Sequence, residues 1–350
     1  MNLLLRILAW LYGAGVWFRN LLYDEHVLHS FQPALPTICV GNLAVGGTGK
    51  TPHVEYLVRL LTENGYKVAV LSRGYKRRTK GFVEADDKAT AATIGDESMQ
   101  LKTKFPNIVV AVCEDRYIGV RRLKRRHADL DVVVLDDAFQ HRRIKPGLSI
   151  LLTQADRLYV EDQLLPLGRL REQKEGSLRA NIVVVTKCSE HMQPIEQRIV
   201  DTKLHVLPAQ TLVFTRTKYK ELVPVFGGSK SGVESQGAKV LLVTGIAQPQ
   251  YLQEHVEQSA AAVCSLTFPD HHVFSEKDIR RIRETFEAEH CDLIITTEKD
   301  AVRLRECRSF PEELKPRVFA WTIETEFLQN DITTFNTIVL RYVRESKSNR

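Results

Sequence analysis

The residues best suited to chemistry follow the apolar stretch Ile38–Val40: first Gly41-Asn42-Leu43-Ala44-Val45, then Gly46-Gly47-Thr48-Gly49-Lys50-Thr51. Glycines at this spacing let consecutive backbone N–H groups turn inward on phosphate oxygens, and a helix beginning near Thr51 adds its positive end. In such a P-loop Lys50 reaches the β- and γ-phosphates and the Thr51 hydroxyl ligates Mg²⁺. Gly46, Gly47, Thr48, Gly49, Lys50 and Thr51 are therefore the candidate nucleotide-binding residues. Ala44 stands where the strict motif has its first glycine. Alone, the loop implies nucleotide binding and admits kinase, ATPase and GTPase alike.

A metal partner for this loop belongs at the end of an apolar strand, and Val132-Val133-Val134-Leu135-Asp136-Asp137 supplies two carboxylates there. Such side chains hold Mg²⁺ directly or through water. Asp136 is the better candidate, and two roles fit the pair better than two ligands. In Gly95-Asp96-Glu97, local sequence gives Asp96 the role of a helix N-cap with Glu97 in the first turn.

These groups need a rigid frame. From residue 37 to 187, short β-branched runs alternate with helical patterns: Thr37–Val40, Val68–Leu71, Ile108–Val112, Asp131–Leu135, Leu148–Leu152 and Asn181–Val185, with helices expected at 51–64, 96–104, 116–128 and 156–165. Strands apolar on both faces belong in a parallel sheet covered by helices. The class is α/β, a P-loop NTPase-like doubly wound sheet. Leu204–Phe226 reads as a hairpin or extended linker, and the Gly/Ser-rich segment Gly227–Gly237 marks a boundary.

The α/β pattern resumes beyond that boundary, with strands Lys239–Val243, Val263–Phe268, Leu293–Thr296 and one near Val318–Thr322, and helices near Pro249–Glu257 and over Glu276–Glu289. Ser275 with Asp278 makes a capping box for the latter. The expected division is an N-terminal helix at 1–23, a P-loop domain at 24–203, a linker or hairpin at 204–237 and a smaller α/β domain at 238–350 that completes a cleft.

The first 23 residues are different in kind. The uninterrupted apolar run Ile7–Phe18 is twelve residues long, short of the roughly 20 that a spanning helix needs. No small-residue cleavage site follows it. With Trp10, Trp17, Tyr12, Tyr23, Arg6 and Arg19 in and around the run, it suits a helix lying in the headgroup layer or one docked on the protein's own core; the tryptophans favour the membrane.

With 49 basic and 43 acidic side chains the net charge is +6, which favours anionic partners. The basic run Arg121-Arg122-Leu123-Lys124-Arg125-Arg126-His127 lacks interleaved aromatics, so it reads as a solvated helix face, with attraction to anionic lipid second and no nucleic acid. Six scattered cysteines without a C-x-x-C pair read as reduced and buried, in a cytosolic protein.

Gly41–Thr51, Arg73-Gly74-Tyr75, Gly95-Asp96-Glu97, Arg116, Asp136-Asp137-Ala138-Phe139-Gln140-His141, Gly168-Arg169-Leu170-Arg171-Glu172, Phe268-Pro269-Asp270-His271-His272 and Thr296-Thr297-Glu298-Lys299-Asp300 together resemble the tetraacyldisaccharide 4′-kinases of lipid A biosynthesis, across almost the whole chain. The resemblance implies transfer of the ATP γ-phosphoryl group, with Mg²⁺, to the 4′-hydroxyl of an acylated glucosamine disaccharide 1-phosphate. It further implies a peripheral enzyme at the anionic cytoplasmic face of the inner membrane of Gram-negative bacteria. No obligate protein partner is inferred, and two domains closing around the substrate are expected.

Under the resemblance Asp96 takes the position of the catalytic base, with His271 as its partner and His272 as the alternative, and Glu97 lies near the metal. Lys50 neutralises charge in the transfer. Arg116 and Arg171 become phosphate or sugar contacts, with Gln140 and His141 supporting the aspartates on the substrate side. Ala138 stands where the family has glycine and Ser98 where it commonly has proline. The rival class is a membrane-associated GTPase or ATPase switch. A base-reading Asn-Lys-x-Asp would then be expected, whereas Val185-Thr186-Lys187-Cys188-Ser189 lacks its aspartate.

Overall fold

The computed structural model describes residues 2–227 and 235–348. The chain opens with helix α1 (Asn2–Asp24). Strand β1 (Thr37–Asn42), helix α2 (Lys50–Glu63), strands β2 (Val68–Ser72) and β3 (Val83–Glu84), helices α3 (Ala91–Ile94) and α4 (Asp96–Lys104) and strand β4 (Val109–Val112) follow. Next come α5 (Arg116–Arg126), β5 (Val132–Asp136), β6 (Leu148–Gln154), β7 (Ile182–Thr186), α6 (Pro194–Leu204) and β8 (Thr211–Pro224). The remainder is β9 (Lys239–Thr244), α7 (Gln250–Glu257), β10 (Ala262–Thr267), α8 (Glu276–Ala288), β11 (Leu293–Thr297), α9 (Glu298–Arg305), β12 (Val318–Phe327) and α10 (Asp331–Ser348).

Among the described residues these strands make one sheet, in the order β10-β9-β11-β12-β8-β7-β6-β1-β5-β2-β4-β3. Pairing is parallel within each half, apart from the edge strand β3, and antiparallel where β8 meets β12. The reason lies in the side chains: β1, β2, β5, β6 and β7 are buried at every position, so both faces must be covered. In the first lobe α5 and α6 cover one face, while α2, α4 and α10 cover the other. In the second lobe α8 and α9 lie on one side and α7 on the other.

Three expectations need correction. Residues 156–165 do not form an α-helix; only the 3₁₀ turn Tyr159–Glu161 is present. Pro166 disfavours helical backbone at Leu165, and the Asp162 carboxylate instead accepts the backbone N–H groups of Gln163 and Arg169 at 2.9 and 3.1 Å. The segment 204–226 is not a hairpin; of its two readings the extended one holds, as the single strand β8 (Thr211–Pro224), which pairs with β7 and then with β12. Most of Gly227–Gly237 lies outside the described residues.

Helix α10 also returns to the first lobe, although the division at residue 238 groups it with the second. Its Phe335, Val339 and Val343, spaced four apart, are buried against Ile38, Val54 and Leu57. The Tyr342 hydroxyl accepts the Thr37 N–H at 3.0 Å.

Helix α1 carries features of both readings given for it, a docked seam and an open apolar surface. Among the residues of α1 whose burial is described, only Ala9 and Gly13 are buried, on a narrow seam where Gln173 donates to the Gly13 carbonyl at 2.9 Å and the Tyr12 hydroxyl to the Arg171 carbonyl at 2.8 Å. Leu3, Leu4, Trp10, Leu11, Trp17 and Phe18 are more than half exposed, Trp10 at 71%. The helix rests on the protein by its seam and leaves its bulk apolar surface open.

Candidate active site

The phosphate loop lies at the carboxyl end of β1. Helix α2 starts at Lys50, directly after Gly49, whose φ of +82° is the left-handed conformation that glycine adopts without strain. Gly46 and Gly47 are exposed, while Thr48 is buried and its hydroxyl accepts from Asn42 Nδ2 at 2.7 Å. Thr51 sits half-buried in the first turn. Ala44 causes no conflict: it pairs with Leu170 as a short antiparallel bridge and is absent from the positive-φ residues.

Lys50 Nζ stands 3.4 Å from Asn42 Oδ1 and 3.9 Å from Asp137 Oδ1. Asn42 is the hub here, since its Oδ1 also accepts from Arg171 at 2.9 Å and its carbonyl from Gln140 at 2.8 Å. Sequence reasoning gave Asn42 no role, although it ends the strand that carries the loop.

The two strand-end carboxylates separate cleanly. Asp137, at φ +48°, accepts both oxygens' worth of contact from Arg171 Nη1 at 3.0 and 3.1 Å. Burial would raise its carboxyl, but Lys50 and Arg171 hold it below the usual range. Asp136 is buried, and its Oδ1 has no hydrogen-bond partner. Burial, reinforced by the negative charges of Glu97 and Asp137, pushes its carboxyl up to about 7.

A buried, orphaned carboxylate oxygen surrounded by negative charge fits a cation. Among the described residues no cluster of three or more His, Cys, Asp or Glu could hold a metal by itself. Mg²⁺ binds through one or two carboxylates together with phosphate oxygens and water.

The opposite wall of the site is built by both lobes. Asp96 is the first residue of α4, after Gly95 at φ +87°; a Cβ on Gly95 would lie 3.1 Å from the Tyr75 carbonyl. The Asp96 side chain makes no cap; its Oδ2 lies 3.0 Å from His271 Nδ1 and 3.6 Å from Arg303 Nε. Burial would raise this carboxyl, but the His271 hydrogen bond and the charges of Arg303 and Lys299 hold it below the usual range. His272 points elsewhere: it stacks on Phe268 and bonds Asp278 at 3.0 Å. Of the two histidines, His271 is the one that meets Asp96.

The remaining sequence candidates hold the framework. Arg116 is buried and spends its terminal nitrogens on the carbonyls of Cys113, Glu114 and Asp137 at 3.4, 3.1 and 3.0 Å. Burial turns the guanidinium toward backbone, whereas its reading as a phosphate or sugar contact expects a fork toward ligand. Arg171 links Asp137, Gln140 and Asn42. Gln140 also bonds Glu172 at 2.9 Å. His141, pushed down to about 4 by burial and then by the Arg116 charge, accepts the Arg116 N–H at 3.3 Å. Ser98, at the family's proline position, bonds Ser72 Oγ at 2.7 Å.

Sequence reasoning also missed the second lobe's reach over the phosphate loop. Gln248, from the loop after β9, accepts from Gln154 at 2.9 Å and from Lys187, and Gln154 donates to the Gly47 carbonyl at 3.1 Å. Lys187 lies 4.4 Å from the Tyr251 ring centre, and burial pushes its ammonium down to about 8.

A family model described as tetraacyldisaccharide-1-P 4′-kinase matches residues 1–344. A tetraacyldisaccharide 4′-kinase of Bacteroides thetaiotaomicron is 48% identical over 355 residues, covering 97% of this chain and 93% of that protein. One of Flavobacterium johnsoniae is 42% identical over 351 residues, covering 99% of each. Among solved structures, the "apo" form of LpxK from Aquifex aeolicus in complex with ATP is similar, with a TM-score of 0.75 and 26% identity over 97% of this chain and 98% of that one.

Proposed function

The chain belongs to the tetraacyldisaccharide-1-P 4′-kinase family, and from that premise we propose a division of labour between its two lobes. The enzyme transfers the γ-phosphoryl group of ATP to the 4′-hydroxyl of a tetraacyl disaccharide 1-phosphate in lipid A biosynthesis. The first lobe holds the donor: Gly46–Gly49 and the start of α2 cradle the phosphates, and Lys50 neutralises the charge that builds on them. Thr51 and Asp136, with Glu97 nearby, would hold Mg²⁺, which supplies further charge neutralisation at the β- and γ-phosphates.

Asp96 acts on the acceptor. As the 4′-oxygen forms its bond to Pγ, the hydroxyl proton passes to Asp96, the bond from Pγ to the β-bridging oxygen breaks, and its electron pair leaves with ADP. His271 orients the carboxylate by donating to Oδ2. The observation that carries this reading is the Asp96–His271 pair at 3.0 Å, contributed by residues from different lobes beside the carboxylates of the phosphate loop. Arg116 and Arg171 position Asp137 behind the donor rather than gripping the sugar.

The exposed apolar surface of α1, with Arg6 and Arg19 beside it, supports peripheral attachment at the cytoplasmic membrane face, where the lipid acceptor is met. Among the described residues no helix is long and apolar enough to cross a membrane. The test is radiolabelled ATP with a lipid A disaccharide 1-phosphate in detergent. Label must appear in the lipid; label released only as inorganic phosphate overturns the kinase reading in favour of a switch.

A further inference from the structure

Lys299 lies in the first turn of α9, where three partners from both lobes surround its ammonium. Nζ is 3.1 Å from His271 Nε2, 3.2 Å from Asp270 Oδ1 and 3.4 Å from Glu97 Oε1. An ammonium has three donors and no acceptor. Nε2 must therefore be an accepting nitrogen, so the single imidazole proton sits on Nδ1, facing Asp96 Oδ2 at 3.0 Å. The tautomer of His271 follows from the identity of its neighbour.

The backbone presenting this ring is fixed as well. His271 is left-handed at φ +59°, and its N–H donates to the Gly245 carbonyl at 3.3 Å. Arg303, one helical turn after Lys299, donates to the carbonyls of His272 and Gly245 at 2.8 and 3.2 Å. Asp300, between them, anchors that guanidinium at 2.6 Å. One face of α9 thus clamps the turn and, through Lys299, the ring.

We propose that Lys299 is a positioning residue that locks His271 as the Nδ1–H tautomer and so keeps Asp96 an aligned, ionised acceptor for the 4′-hydroxyl proton. The proposal rests on the reading of Asp96 as the base. Because Glu97 belongs to the first lobe and Lys299 to the second, the lock is complete only while the lobes are together. Without the ammonium no donor holds Nε2 as an acceptor, and the ring is free to carry its single proton on either nitrogen, so Nδ1–H no longer faces Asp96 in every molecule. Loss of the ammonium also removes one of the positive charges that hold the Asp96 carboxyl below its usual range, which moves the acid limb of the rate profile to higher pH.

The experiment compares kcat, KM for each substrate and the pH profile of kcat in wild type, Lys299→Met and Lys299→Arg, with thermal unfolding measured alongside. Lys299→Met should lower kcat about 30-fold with KM for ATP little changed, and shift the acid limb up by about one pH unit. Lys299→Arg, also a pure donor, should restore most of kcat and the original limb. An unmoved acid limb in a folded Lys299→Met enzyme overturns the proposal.

An independent readout needs no Lys299 variant. In ¹⁵N-histidine-labelled wild type, with His271 assigned by its loss in His271→Gln, the ring must show protonated Nδ1 and bare Nε2; the opposite tautomer overturns the inference. Asp96→Ala separates the failures. If it stays active the base reading falls, whereas an inactive Asp96→Ala with an unmoved Lys299→Met limb removes only the role of Lys299.

Discussion

The two walls of the cleft that we assign to donor and acceptor are made in opposite ways. The phosphate loop is a contiguous run, Gly46–Thr51, between a wholly buried strand and the helix α2. The acceptor wall joins Asp96 to His271, 175 positions apart, with Lys299 and Arg303 behind them. A local site is held by its own strand and helix. A site shared between lobes exists only in one arrangement of those lobes, which suits a group that must act on the acceptor and not on water.

Substitutions on the two walls should therefore fail differently. The largest effect is expected for Asp96→Ala, with kcat reduced on the order of 10³-fold while ATP affinity, followed by equilibrium binding, is mostly retained. Lys50→Met should lose about 10²-fold in turnover and weaken ATP binding as well. Unchanged ATP affinity in that variant would break the division between walls.

The pH dependence of Mg²⁺ binding is the next test. The Asp136 carboxyl is raised to about 7 by burial and neighbouring charge, so below that pH a proton must leave before the cation enters. Apparent Mg²⁺ affinity, read by titrating the ATP complex, should fall about tenfold per pH unit below about 7 and level off above it. In Asp136→Asn the slope should vanish; a slope that persists would assign the titration elsewhere.

The smallest effect concerns delivery of the acceptor. Trp10→Ala should weaken binding to anionic vesicles about fivefold, with turnover on detergent-dispersed lipid within about twofold of wild type. Equal vesicle binding would remove α1 from the membrane contact.

The same contrast explains what was legible beforehand. Strands such as Val132–Leu135 announce themselves by being apolar at every position, and the phosphate loop by glycines at fixed spacing. The Ser275–Asp278 cap was readable too, and forms. Local sequence made Asp96 a helix cap, and only the resemblance placed it opposite a histidine; the structure joins the two.

Lys299 and Arg303 carried a weak signal, a polar cluster opening a helix after an apolar strand with basic side chains four apart. Nothing local says that this face meets His271. Strand β8 admitted two readings because its burial changes along its length, from Val213–Thr215, which are buried, to Tyr219–Pro224, which are not fully so; one strand serves two different environments. Helix α10 repeats its apolar residues every four positions, yet that spacing does not say which lobe it covers.

Strand β8 has a mechanical meaning. Its residues Thr211–Phe214 pair with β7, and from Thr215 onward it pairs with β12, so the chain leaves one lobe for the other between Phe214 and Thr215. The return crossing, from β12 to α10, passes the same point: the Leu328 N–H donates to the Phe214 carbonyl at 2.9 Å, and the Phe214 N–H donates to the Asp331 carboxylate at 2.7 Å. The two covalent passages between the lobes are thus fastened to each other at one residue, so a change at Phe214 or Asp331 loads both crossings at once.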